Sequence, residues 1–277
     1  MPDPRTGRTG RRQPDLASGG RHPASELTLS APSDPVARLA APPVDGGAVT
    51  TGRVTLDIGG ERIPVEMTVP AGPVCVEDVL PVLQGLSSLF ATRATARTEQ
   101  LGKAVSCRAG CGACCRQLVP IAPAEARTLA RMVETLPEPR RTEILRRFEE
   151  ALATLNGLGI LDRLDQDPNS RRAVAIDYFR AGVACPFLED EACSIHADRP
   201  MSCREYLVTS PPEHCADLSH GVETLKLEAQ PSVALLQADL RDGWTPLILA
   251  LVQDAQAPAS SRDRDAATIL KAVIGAL

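Results

Sequence analysis

Nine cysteines occur in the chain, and eight of them fall between Cys107 and Cys215. Scattered cysteines act as small buried hydrophobes, whereas a dense cluster points to a shared bonding task, either disulfides or a metal. The first segment reads Cys107-Arg-Ala-Gly-Cys111-Gly-Ala-Cys114-Cys115, a C-x3-C-x2-C-C spacing. Such short spacers let successive sulfurs turn toward one centre, and Gly110 and Gly112 permit the tight backbone this requires. They also leave N–H groups free to donate to thiolate or sulfide, which stabilises negative charge. The second segment supplies Cys185-Pro-Phe-Leu, then Cys193-Ser-Ile-His, then Arg199-Pro-Met-Ser-Cys203-Arg, with Cys215 further on. The ninth cysteine, Cys75, stands apart and is expected to be a buried thiol.

Cys107, Cys111 and Cys114 can supply three ligands of one centre, with one cysteine of the second segment as the fourth. Zinc takes four ligands in a tetrahedron. The neighbours Cys114 and Cys115 diverge in most backbone conformations, so one mononuclear ion does not easily use both. Two centres, or one polynuclear cluster with a spare thiol, suit the doublet better. An iron–sulfur cluster has separated corners and gathers cysteines from distant segments. Ligand geometry therefore favours iron–sulfur and leaves zinc open. The cations Arg108, Arg116, Arg199 and Arg204 stand beside the cysteines, where they would lower thiol pKa values and favour metallation. The alternative is that they are ordinary surface arginines. His196 and His214 lie near Cys193 and Cys215 and are expected to be exposed or to support the ligands; His22 lies far upstream. The same C-x3-C-x2-C spacing occurs in radical S-adenosylmethionine enzymes, but alternating βα units should then follow, and the residues after Cys115 read as helices.

Cysteine usage depends on compartment. The first residues carry arginines, including Arg11-Arg12, but no apolar run, so no secretory or twin-arginine signal is expected. A cytoplasmic chain keeps its thiols reduced, which favours metal over disulfides. Within 277 residues there are 30 Lys and Arg against 35 Asp and Glu, a net charge of −5. This argues against a nucleic-acid binder working through a broad basic field. Four Phe, two Tyr and one Trp leave little for base-stacking platforms. No apolar run is long enough for a membrane span.

The elements that must position the cysteines follow from periodicity. Residues 1–49 hold eight Pro and six Gly and read as a disordered tail, followed by one globular domain over 50–277. Residues 53–58 and 62–69 alternate around Gly59-Gly60, a hairpin within 50–72 with Val54, Leu56, Ile58, Ile63, Val65, Met67 and Val69 inward. Residues 222–228 are a possible third strand. Helices are expected at 79–100, with Asp78 as cap and Pro81 in the first turn, at 123–136 and at 139–156. A short one capped by Ser170 ends near Arg180, and others fall near 231–240, 245–254 and 263–276. The fold class is α+β, mostly helical, with a small β element and an irregular cysteine-rich core stapled by metal.

The cysteine spacing together with Cys-Pro-Phe-Leu, Cys-x-Ile and Arg-Pro-x-x-Cys-Arg resembles the YkgJ-type cysteine-cluster family over about 101–217. The resemblance implies a zinc- or iron-chelating module and carries the ligand role onto Cys107, Cys111, Cys114, Cys115, Cys185, Cys193 and Cys203. Cys215 is added by its closeness in sequence. Where the family has Tyr after the Ile, this chain has His196. Flagellin lysine N-methylases share the pattern, so an enzyme using the cluster is an alternative function, although no S-adenosylmethionine loop is visible. A thiol redox sensor is another. The C-terminal extension over 221–277 lies outside the resemblance. The expected partner is a metal ion or cluster, with no nucleic acid and no membrane.

Overall fold

The computed structural model describes residues 36–58, 60–164, 171–238, 243–254 and 261–277. The expectations for residues 1–35, Gly59 and Ser170 fall outside them. Strands β2 (Val49–Ile58) and β3 (Glu61–Pro70) form the expected antiparallel hairpin, with Val54 opposite Val65 and Leu56 opposite Ile63. Gly60 takes the left-handed conformation (φ +79°) that the turn needs. Ile63, Val65, Met67 and Val69 are all buried, as period-two alternation requires.

The third strand is not the expected one. β1 (Ala37–Ala40) pairs in parallel with β3, inside the stretch read as tail. Leu39 is only 2% exposed. One well-buried leucine and an open sheet edge order these four residues against the Pro- and Gly-rich composition around them. Residues 222–228 make a single bridge, Thr224 to Val208. Leu225 and Leu227 are nevertheless buried in the same core, so their alternation reported burial rather than pairing.

Helix α1 (Val76–Gln100) packs across this sheet. Its cap differs in detail from expectation. Cys75 occupies the N-cap position, and Asp78 reaches back from within the first turn, accepting from Cys75 N–H at 2.9 Å and Cys75 Sγ at 3.0 Å. Pro81 therefore sits one turn deeper than predicted, where its missing N–H deprives the Glu77 carbonyl of its intrahelical partner. Cys75 is buried, as predicted. Helices α6 (Pro231–Ala238) and α8 (Ala266–Gly275, capped by Asp265 through Thr268 N–H at 2.7 Å) complete the first core.

A second core gathers α2 (Pro123–Glu134), α3 (Arg140–Gly157) and α4 (Arg171–Ala181) around Phe148 and Phe187, whose rings meet edge to face at 5.4 Å. The three predicted helices stand. The one expected at 245–254 is instead a two-residue strand, a 3-10 turn and α7 (Ala250–Asp254). Thr245 and Pro246 pair with Pro120 and Ile121, because Pro246 has no N–H for a helix and suits an edge. The architecture is α+β, about half helical. Among the described residues no helix is long and apolar enough to cross a membrane.

Buried polar groups join the two cores. Arg127 of α2 bonds Glu77 of α1, both almost fully buried. Between the cores lies the short helix α5 (Met201–Glu205), packed on α1 and α6. Glu125 of α2 accepts from Ala122 N–H at 2.9 Å and from Met201 N–H at 2.8 Å. Glu205 accepts from Ser87 Oγ at 2.7 Å and Ser232 N–H at 3.0 Å, and also from the Ser232 hydroxyl.

Burial raises the Glu125 carboxyl from 4.5 to about 7 despite its two backbone donors. A carboxyl that holds its proton more tightly when folded favours the fold below its unfolded value, and that contribution is lost as pH rises through the folded one. The stability of the parent relative to Glu125→Gln should therefore fall between pH 4.5 and about 7. Thermal unfolding of both chains across that window checks this; a flat difference would refute it.

Candidate metal centre

The first cysteine segment is held by backbone bonds. Ser106 N–H donates to Val208 C=O at 2.9 Å, and Val208 N–H returns a bond to Cys107 Sγ at 3.4 Å. Gly110 is left-handed (φ +81°) and lets the chain double back, with Cys111 N–H on Arg108 C=O at 3.1 Å. At Gly112 a Cβ would meet Glu191 Oε2 at 2.6 Å, Leu188 Cδ1 at 2.7 Å and Glu191 C=O at 3.1 Å. The two glycines thus have different reasons, one conformational and one steric. A 3-10 turn over Ala113–Arg116 then carries Cys114 and Cys115. At about three residues per turn their side chains leave the backbone roughly 120° apart.

The second segment meets the first directly: Cys185 N–H donates to Cys115 C=O at 2.7 Å. Strands β4 (Leu188–Glu189) and β5 (Ala192–Cys193) form a tiny hairpin whose turn residues Asp190 and Glu191 both have positive φ. Nothing in the sequence signalled it, since a turn of this kind ordinarily carries Asn or Gly. Its tip is pinned by Arg116, which makes a two-pronged pair with Glu191 at 3.0 and 2.6 Å and also reaches Gly112 C=O at 3.1 Å. Phe187 N–H donates to the Cys185 sulfur and Ile195 N–H to that of Cys193, each two residues downstream. Cys203 sits in the middle of α5. Cys215 lies on a 3-10 turn, Pro212–Ala216, packed against the Cys114–Cys115 turn.

All eight clustered cysteines line one cavity of about 610 Å³; Cys75 does not. Gln117, Tyr206 and Val208 also line it, and no motif or spacing had marked them. Among the described residues no three His, Cys, Asp or Glu side chains stand together in a metal-binding group, and none of the nine cysteines is in a disulfide. The sulfurs ring the cavity without converging on a point, so the metal-stapled core expected from the sequence is not formed by their positions alone. Burial raises Cys185 to about 12, Cys215 to about 11 and Cys203 well above its usual value, and it raises Cys107 and Cys193 as well. The donor set nonetheless fits a soft metal: eight thiols from two segments, three of them already receiving backbone N–H bonds.

One thiol differs. The Cys115 side chain hydrogen-bonds Cys114, lowering Cys114 to about 7 while Cys115 rises. The histidines contribute less. His196 is exposed at the cavity wall, and burial together with Arg199 and Arg204 lowers its pKa. His214 stacks on His220 at 4.7 Å with its Nδ1 against Gly221 C=O at 3.1 Å, and neither ring lines the cavity.

In metal-free protein at pH 7, Cys114 should be alkylated first, and Cys115→Ala should slow that reaction by removing the stabilising thiol. Mass mapping of a brief iodoacetamide pulse reads both; equal labelling of all eight thiols would contradict the expectation. Gly112→Ala should cost on the order of 1–3 kcal/mol by overpacking against the Leu188–Glu191 tip, read as a lower unfolding temperature than the parent.

No curated protein and no solved structure matches the chain. A family model does match, over residues 106–220, and its description is "Putative zinc- or iron-chelating domain". The matched residues contain both cysteine segments and every cysteine of the cavity. Residues 106–220 are therefore similar to the CxxCxxCC family.

Proposed function

We propose that the cavity holds a metal centre bound by thiolates from both segments, and that the centre is an iron–sulfur cluster. Ligands are drawn from Cys107, Cys111, Cys114, Cys115, Cys185, Cys193, Cys203 and Cys215. The observation that carries the reading is that these eight sulfurs, from segments about seventy residues apart, share one cavity while Cys75 is excluded from it. The family description supports metal binding, zinc or iron. The preference for a cluster rests on ligand number and charge: eight thiols exceed what one tetrahedral ion takes, and backbone N–H groups act on the sulfurs of Cys107, Cys185 and Cys193, the kind of contact that stabilises a negatively charged thiolate centre. When bound, the centre would supply either a structural link between the segments or an electron relay. The chain's own contribution is to deliver the thiols, exclude water and compensate charge. Such a centre is built and kept in a reducing compartment, which is where this reading sets the protein.

Protein purified without oxygen should carry iron and acid-labile sulfide in equal amounts with a broad visible absorption. Cys185→Ser and Cys193→Ser should each lower metal content, and Cys75→Ser should leave it unchanged. Zinc in place of iron and sulfide would overturn the cluster while keeping the thiolate centre. Protein free of any metal would overturn the whole reading.

A further inference from the structure

Four arginines accompany the cysteines, and the structure separates them. Arg116 is committed to Glu191 and Gly112 C=O. Arg204 is buried and bonded through Nε to Arg199 C=O at 2.9 Å, through Nη1 to Ser88 Oγ at 3.2 Å and through Nη2 to Ala197 C=O. Arg108 is exposed. Arg199 is half-buried in the cavity wall, and its Nε is fully buried with no hydrogen-bond partner. No carboxylate among the described residues forms an ion pair with it. Its titratable neighbours are the thiols of Cys107, Cys114 and Cys193, the His196 ring and a second cation, Arg204.

A guanidinium has five donors in a planar fork and keeps its proton in proteins. Burying one of its N–H groups without an acceptor costs free energy, more so beside a like charge. Among the described residues no hydrogen-bond acceptor reaches the Arg199 Nε–H to offset that cost. Four thiolates around a divalent ion, or around a typical cluster, carry net negative charge, and their sulfurs accept hydrogen bonds. We propose that Arg199 is the counter-cation of the thiolate centre, a positioning residue whose free Nε–H and positive charge are used only when the metal is bound. This rests on the reading that the cavity holds a metal. Arg199 therefore destabilises the empty protein and favours the loaded one, a combination that no scaffold residue shows.

The test is zinc titration of the full chain against a competing chelator, with unfolding temperatures of metal-free and loaded protein. Arg199→Gln should weaken zinc binding by about tenfold or more, the usual effect of losing a residue that supports metal ligands. The same substitution should leave the metal-free unfolding temperature unchanged or raised. Arg199→Lys, which restores the charge, should recover part of the affinity, and Arg108→Gln should not change it. Equal affinity of parent and Arg199→Gln would overturn the proposal. So would a lowered metal-free unfolding temperature in Arg199→Gln that Arg199→Lys fails to restore, since Arg199 would then be part of the scaffold. A parent chain that takes up neither zinc nor iron would overturn the metal reading and this inference together, an outcome distinct from the other two.

Discussion

The bond from Cys185 N–H to Cys115 C=O, at 2.7 Å, is the constraint on which the cysteine arrangement depends. It joins the ends of two loops that have no long helix or strand of their own. On one side the backbone runs back through a 3-10 turn to Gly112, and on the other it runs forward to the Leu188–Cys193 hairpin. Where these meet there is no room for a side chain at residue 112. Arg116 and Glu191 fasten the contact from outside. Loops of this length would ordinarily leave backbone groups unsatisfied and wander. Here a handful of backbone bonds, one ion pair and a missing Cβ do what a sheet would do elsewhere.

Two hydrophobic cores flank the loops, and the second takes Phe187 and Ile195 from the second cysteine segment. The first rests on the three-stranded sheet and α1, the second on α2, α3 and α4. Buried carboxylates stitch the gap: Glu77 to Arg127, Glu125 to the start of α5, Glu205 to Ser87 and Ser232. Each is costly to bury and is stabilised by specific donors. Polar contacts in such positions specify geometry where apolar packing alone would tolerate sliding. The cavity is consequently framed by directional bonds although its own walls are largely thiol and aliphatic.

Much of this was readable in the residues. Period-two alternation from Ile63 to Val69 and helical spacing from Leu80 to Phe90 report one-sided burial, which dominates local structure. The cysteine spacing and motifs marked seven of the eight cysteines that line the cavity, and closeness in sequence added Cys215. What escaped has physical causes as well. β1 is ordered by a sheet edge distant in sequence, which no local composition contains. The Asp190–Glu191 turn adopts positive φ without Gly or Asn, held by its tertiary contacts. Pro81 was misplaced because Asp78 caps from the third helical position, an ambiguity that only Cys75's backbone resolves. Arg199 looked like its three neighbours until their partners were known.

Cys203, Arg204 and Glu205 are consecutive on a helix of five residues, and each faces a different neighbour. The sulfur looks into the cavity, the guanidinium reaches Ser88 of α1 and the carbonyls of Ala197 and Arg199, and the carboxylate holds Ser87 of α1 and Ser232 of α6. A five-residue helix has no internal slack, so a pull on any one of the three is felt by the others. Drawing the Cys203 sulfur inward would load the serine contacts of two long-range partners at once. The vessel and its rim are a single piece, for Glu205 and Ser232 line the same cavity as the cysteines.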